Sequence, residues 1–370
     1  MRLAMAHGRI VSSSGKLYFG LILAGFLLSG LALADDYRDF NVTLAEQYVM
    51  PRYYALEEAT AQQQHTLAAF CQAPDAEGLA QSQSAFHASM DAWMQIQHIK
   101  LGPIQLAFRA ERINHWPERR NAVSKTLRKW LAEKDLSLLD PDTFATRSVA
   151  GQGLPTLERL LFAPDALQQY RADDYRCQLT LAIGRNLATI SREVVTEWQQ
   201  QVLPVLAAGG EHPIYFENPE AVTRQLLTDL QTLLQVITDQ KLEQVLGKTS
   251  AEAKPKQAEN YRSDRSIRNL LLNLASARAM YADAQSGFVR LMPHTPDAEA
   301  LSARIEQALT AAENTLKALD KPLDQAVQDP SERAKIEQAL KATRSIRNTL
   351  QDEIPTMLGI NTGFNSLDGD

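Results

Sequence analysis

Apolar residues recur every three or four positions through most of this 370-residue chain, and nowhere do they alternate convincingly in twos. The spacing of Val42, Leu44, Tyr48, Val49, Tyr53, Leu56, Leu67 and Phe70 predicts one long helix over 36–71, kinked or divided near Pro51. Phe86, Met90, Trp93, Met94 and Ile96 predict a second over 76–100, ended by Gly102 and Pro103 in LGPI. An amphipathic stretch at 121–134 and a short piece at 141–149 lead into GQGLPTLERLLF, 151–162. There Gly153 frees the backbone and Pro155 suits a first helical turn, so a helix starts near Leu154 with Leu157, Leu160 and Leu161 on its core face. Leu179, Ile183, Leu187, Ile190, Val194 and Trp198 give one or two helices over 167–206.

Pro204, AAGGEHP and Pro219 then gather the helix breakers. Beyond them the same pattern predicts helices over 220–243, 261–285, 295–319 and 330–353, with Ser263 or Asp264 capping the second of these. The expected fold is all-α: two antiparallel helical bundles of about four main helices each, 35–207 and 208–370, with a cleft between them.

The first 34 residues change the picture. They hold no Asp or Glu, carry Arg2, Arg9 and Lys16, and run through an apolar stretch to Ala32, Leu33 and Ala34. That is the pattern of a secretory signal peptide cleaved after Ala34, which places the mature protein in the periplasm or cell envelope without a membrane span; an uncleaved anchor is the alternative. Losing three basic residues makes an already acidic chain, net charge −6, more acidic still, which argues against nucleic acid as a partner. In an oxidising compartment Cys71 and Cys177 favour a disulfide over two free thiols.

Candidate chemistry is sparse. There is no phosphate loop, no HExxH and no GxSxG. Glu158 falls among the leucines after the glycine hinge and admits two roles: a first-turn acid facing its own helix dipole, or a carboxylate at the mouth of a buried crevice. Arg109, Arg112, Arg119 and Arg120 beside His115 and Trp116 could hold an anion or Glu158 itself, or form a charged connection. His87 and Asp91 stand one helical turn apart, a spacing that serves a metal or an ordinary hydrogen bond. Arg262, Arg265 and Arg268 project along one strip, toward an anion or into water; Phe364 is placed to fasten the polar tail.

Several segments together resemble the imelysin-like family of bacterial envelope proteins, the insulin-cleaving or M75 peptidase family: YVMPRYY (48–54), AFCQAP (69–74), AWMQIQHIKLGPI (92–104), HWPERR (115–120), GLPTLERLLF (153–162), YRSDRSI (261–267) and GFNSLDGD (363–370). The resemblance implies two helical domains with a site between them and a role near iron acquisition. The family motif GxHxxE falls on Gly153, Pro155 and Glu158, so the histidine is replaced by a residue that can neither bind a metal nor act as a base. An iron or zinc cofactor would have to draw on Glu158 with His98, His115 or Asp91. The leading expectation is a non-enzymatic protein binding a metal-containing or anionic ligand, or an envelope protein partner, through Glu158, Arg109, Arg112, His115 and Trp116, with Gly153 and Pro155 shaping the backbone and Trp93 packing a wall. A metallopeptidase with a replaced ligand and a structural envelope module are the alternatives.

Overall fold

The computed structural model describes residues 36–360; the expected leader and cleavage after Ala34, and the expected role of Phe364, fall outside the described residues. Every helix expected from periodicity is there, as α1 (36–72), α2 (Ala76–Ile96), α3 (Ala122–Glu133), α4 (Leu154–Leu161), α5 (Asp174–Glu197), α6 (Pro219–Gln235), α7 (Ser266–Ala282), α8 (Pro296–Lys317) and α9 (Pro330–Asp352). Short helical turns fill the connections, and the described residues contain no strand, only an isolated bridge between His212 and Phe216.

Prolines are absorbed rather than broken upon. α1 neither divides nor stops at Pro51: the turn before it, Ala45–Val49, widens so that the Met50 N–H reaches the Ala45 carbonyl five residues back. The same device precedes Pro204, where α5 continues through a wide turn, Trp198–Val202, and the Leu203 N–H bonds Trp198 O. A wide turn supplies the slack that a missing N–H and a crowding ring would otherwise take from the helix.

α1 lies along α2 and α5 in the first half; α8 and α9 form a hairpin in the second, with α6 against α9. The halves meet chiefly where α7 packs on α2. Arg265 of α7's start, 2% exposed, meets Asp91 of α2 and donates to His87 Nδ1 at 3.0 Å, while Arg268 Nε donates to Asp91 at 2.7 Å. Arg265 and Arg268 of the arginine strip are therefore a clamp between helices, which engages both Asp91 and His87. Buried apolar side chains from Phe40 to Ile360 form one connected cluster through both halves. Cys71 and Cys177 are joined, Cα atoms 5.5 Å apart, fixing the end of α1 to the start of α5 across 106 residues.

Candidate functional site

The GQG hinge is built for close approach. A Cβ on Gly151 would stand 2.1 Å from the Trp130 ring, and one on Gly153 only 2.3 Å from the Ile113 carbonyl, so the loop presses against α3 and the 109–113 helix. Gly153 is extended, φ −116°, so contact rather than a left-handed angle requires it. α4 then starts at Leu154 with Pro155 in its first turn, and Leu154, Leu157, Leu160 and Leu161 are buried. Thr156 Oγ1 ties the start back to Ala150 O at 3.0 Å.

Glu158 is 2% exposed. It sits in the second turn of α4, beyond reach of the helix's free N–H groups, which corrects the reading of it as a first-turn dipole partner. Its Oε1 instead accepts from Ser263 Oγ at 2.8 Å and Ser263 N–H at 3.2 Å, a residue 105 positions away. Ser263 thus serves Glu158 and caps no helix; α7 begins at Ser266 with neither Ser263 nor Asp264 capping it. Burial pushes the Glu158 carboxyl above its ordinary pKa, against the lowering pull of Ser263, Arg262 and Arg159.

Above Glu158 opens a cavity of about 100 Å³. His115, Trp116 and Pro117 form one wall, with a cis bond between Trp116 and Pro117; Pro155 and Arg159 of α4 form another, and Tyr261 and Arg262 close it from the second half. Arg159 pairs with Glu118 and donates to Ser124 Oγ at 2.8 Å. The Arg262 guanidinium lies over Tyr261, 4.4 Å from its centroid. Behind Trp116 is a buried pair: Lys241 Nζ donates to Glu259 Oε2 at 2.6 Å and to Asn273 Oδ1 at 2.7 Å, and stands 5.4 Å from the Trp116 ring. Asn114 donates to Glu259 Oε1 at 3.3 Å, while its own buried Oδ1 has no protein partner.

The structure therefore brings together four of the residues expected in the site, His115, Trp116, Pro155 and Glu158, with Gly153 positioning the last two. It does not bring Arg109 and Arg112 there. The short helix Arg109–Ile113 turns both toward α5, where Arg109 meets Glu197 at 2.6 Å and Glu193 at 3.0 Å, and Arg112 meets Gln152 and Asn186. Trp93 lines a neighbouring cavity that shares His115 and Trp116. His98, named as a possible metal ligand, is buried against the Tyr48 hydroxyl at 2.9 Å, and burial lowers its pKa to about 3. Glu158, His98 and Asp91 are thus engaged in three separate places, and no group of three His, Cys, Asp or Glu among the described residues could hold a metal. The donor set does not fit a resident iron or zinc ion. Sequence reading missed Tyr261, Lys241, Glu259 and Asn114. Lys241 carried a signal, since it falls four residues after Ile237 on the apolar stripe of the 219–246 helix, where a lysine needs a buried partner.

A chain helical throughout its described residues, with a glycine-hinged helix delivering a buried acid to a cavity lined from both halves, defines a helical-bundle fold. The chain belongs to the imelysin family: the family described as Imelysin, Peptidase M75, matches residues 49–350. Two solved structures share its fold. One is an imelysin-like protein from Psychrobacter arcticum 273-4, 19% identical, TM-score 0.74, covering 90% of this chain and 98% of that one. The other is a putative iron-regulated protein A precursor from Parabacteroides distasonis ATCC 8503, 13% identical, TM-score 0.71, covering 88% and 95%. No curated protein matches the sequence.

Proposed function

We propose that this is an exported, non-enzymatic binding protein of the cell envelope, with 35–207 and 208–370 as its two bundle domains, and that the cavity over Glu158 takes a small anionic ligand. The observation that carries this reading is a buried carboxylate with an unengaged oxygen at the cavity floor, below Arg159, Arg262 and Lys256 on its walls. Burial favours the neutral acid, and a neutral acid can donate a hydrogen bond to a ligand oxygen while the arginines meet its charge. Pro155 leaves no imidazole beside the acid. The name of the Parabacteroides relative supports a place in iron acquisition, and a ferric carboxylate complex presents itself to such a cavity as an anion. A leader cleaved after Ala34 would export it, and no described helix is long and apolar enough to cross a membrane.

His115 lining the same cavity favours a second reading, a metallopeptidase with a replaced ligand. It ranks below the first because no third donor converges there. Calorimetric titration with citrate, ferric citrate and zinc separates them. Binding of either citrate form, weakened about tenfold by Glu158→Gln or Arg262→Ala, supports the anion site. Identical titrations for variants and parent remove it, and stoichiometric zinc with chelator-sensitive peptide cleavage supports the second.

A further inference from the structure

Arg112 stands apart from the Glu158 cavity and has no charged partner of its own. It is 9% exposed, and its guanidinium meets only neutral oxygens: Nε donates to Gln152 Oε1 at 2.8 Å and Nη2 to Asn186 Oδ1 at 2.5 Å. Arg109, one helical turn away, takes the nearby carboxylates Glu193 and Glu197. Two of five N–H donors are engaged, so three remain on Nη1 and Nη2, enough for a forked bond to one carboxylate. Burial lowers the Arg112 pKa, Arg109 adds to this, and the charge of Glu193, which forms no ion pair with it, opposes it only in part; a guanidinium nevertheless keeps its proton in a protein. A buried charge in this state is costly until an anion meets it.

The open side of Arg112 faces a cavity of about 170 Å³ on the flank of α5, which shares no lining residue with the cavity over Glu158. Arg185, exposed and in no ion pair among the described residues, stands at its rim with Thr189 one turn on. Leu139, Phe144 and Ala182 give it an apolar wall. Asp142 and Glu193 also line it, and their charge opposes a polyanion while leaving a single negative charge acceptable.

We propose that this cavity is a second ligand site, for a monocarboxylate with a small apolar or aromatic body, its carboxylate held by Arg112 from within and Arg185 from the rim. The apolar wall takes the hydrocarbon, and the walling acids reject phosphate. Because Gln152 bridges Arg112 and the hinge between Gly151 and Gly153, an occupied site also braces the loop that launches α4.

Benzoate titrated into the full chain by calorimetry tests this. The expected result is saturable one-to-one binding, weakened about tenfold or more by Arg112→Gln, less by Arg185→Ala, and unchanged by Glu158→Gln. That last variant separates this site from the one proposed above. Thr189→Trp fills the mouth without touching the Arg112 bonds and is expected to abolish binding, so the test survives if Arg112→Gln fails to fold. Absence of saturable binding overturns the proposal. So does parent-like affinity in Thr189→Trp or in a folded Arg112→Gln, and so does benzamide or phosphate binding as well as benzoate.

Discussion

At the scale of single residues, two contacts fix the site, and each can be broken separately. Gly153→Ala drives a methyl to 2.3 Å from the Ile113 carbonyl, so the hinge must shift; chemical denaturation is expected to show a loss of about 2 kcal/mol or more. The Lys241–Glu259 pair is 2% exposed on each side, and Lys241→Met alone leaves a buried carboxylate, costing about 3 to 5 kcal/mol. Adding Glu259→Gln should return much of that stability, and a double variant as unstable as the single would show that packing, not charge, was lost. Ligand binding carries its own sign. With its pKa raised, Glu158 donates from the neutral form, so anion affinity should fall as pH rises through that pKa, and Glu158→Gln should lose this dependence. Much of this detail was invisible in the chain. GLPTLERLLF announced its helix because glycine, proline and leucine act locally, whereas the partner of Glu158, Ser263, comes from 105 residues away and leaves no local mark. Arg109 and Arg112 were expected beside Glu158 on charge alone. The direction a five-residue helix points them, toward α5, is a tertiary fact.

At the scale of elements, periodicity predicted where each helix lies, and failed where backbone geometry departs from 3.6 residues per turn. Pro51 was expected to divide or kink α1 because proline removes an N–H; the widened turn at Ala45–Val49 answers that loss, and such turns have no composition of their own. The arginines at 262, 265 and 268 read as a strip facing an anion or water, since spacing cannot reveal that α2 offers Asp91 opposite two of them. Asp91→Ala strips the buried Arg265 of its carboxylate and is expected to cost about 3 kcal/mol, loosening α7 from α2. Hydrogen exchange should then rise at the start of α7 while α8 and α9 keep their protection; unchanged exchange in α7 would show that the clamp holds nothing.

For the whole molecule, composition and pattern together were enough for an all-α chain with a disulfide, and they could not say how its cavities are divided. Closing 106 residues, the bond between Cys71 and Cys177 is worth about 4 to 5 kcal/mol in the chain-entropy account, so reduction should lower the unfolding midpoint markedly. Stability should also bend with pH in two directions. His98 is held neutral, its pKa lowered by burial from 6.5 to about 3, so unfolding takes up a proton and stability falls on acidification from about pH 6.5 toward 3. Asp229 is pushed up by burial from 3.8 to about 7, so the folded state keeps a proton the unfolded chain gives up, and its contribution is lost as pH rises from about 4 through 7. Denaturation across this range should show Asp229→Asn gaining on the parent as pH rises, and His98→Gln losing less than the parent at acid pH.

The wide turn in α1 also sets how its sequence must be counted. Upstream, buried positions step by four in two adjacent rows, 40, 44 and 48 and 41, 45 and 49; downstream they step by three and four, 53, 56, 60, 63, 67 and 70. At the wide turn three successive residues, 48, 49 and 50, are buried before 53, the extra residue being taken up inside the coil. Deleting a single amino acid within 45–49 would close the wide turn into ordinary helix and leave the inner faces on its two sides in phase, whereas the same deletion elsewhere in the rod would spin one side by about 100°. A homologue whose first helix lacks the wide turn would therefore need a one-position gap here to stay in phase along the rod.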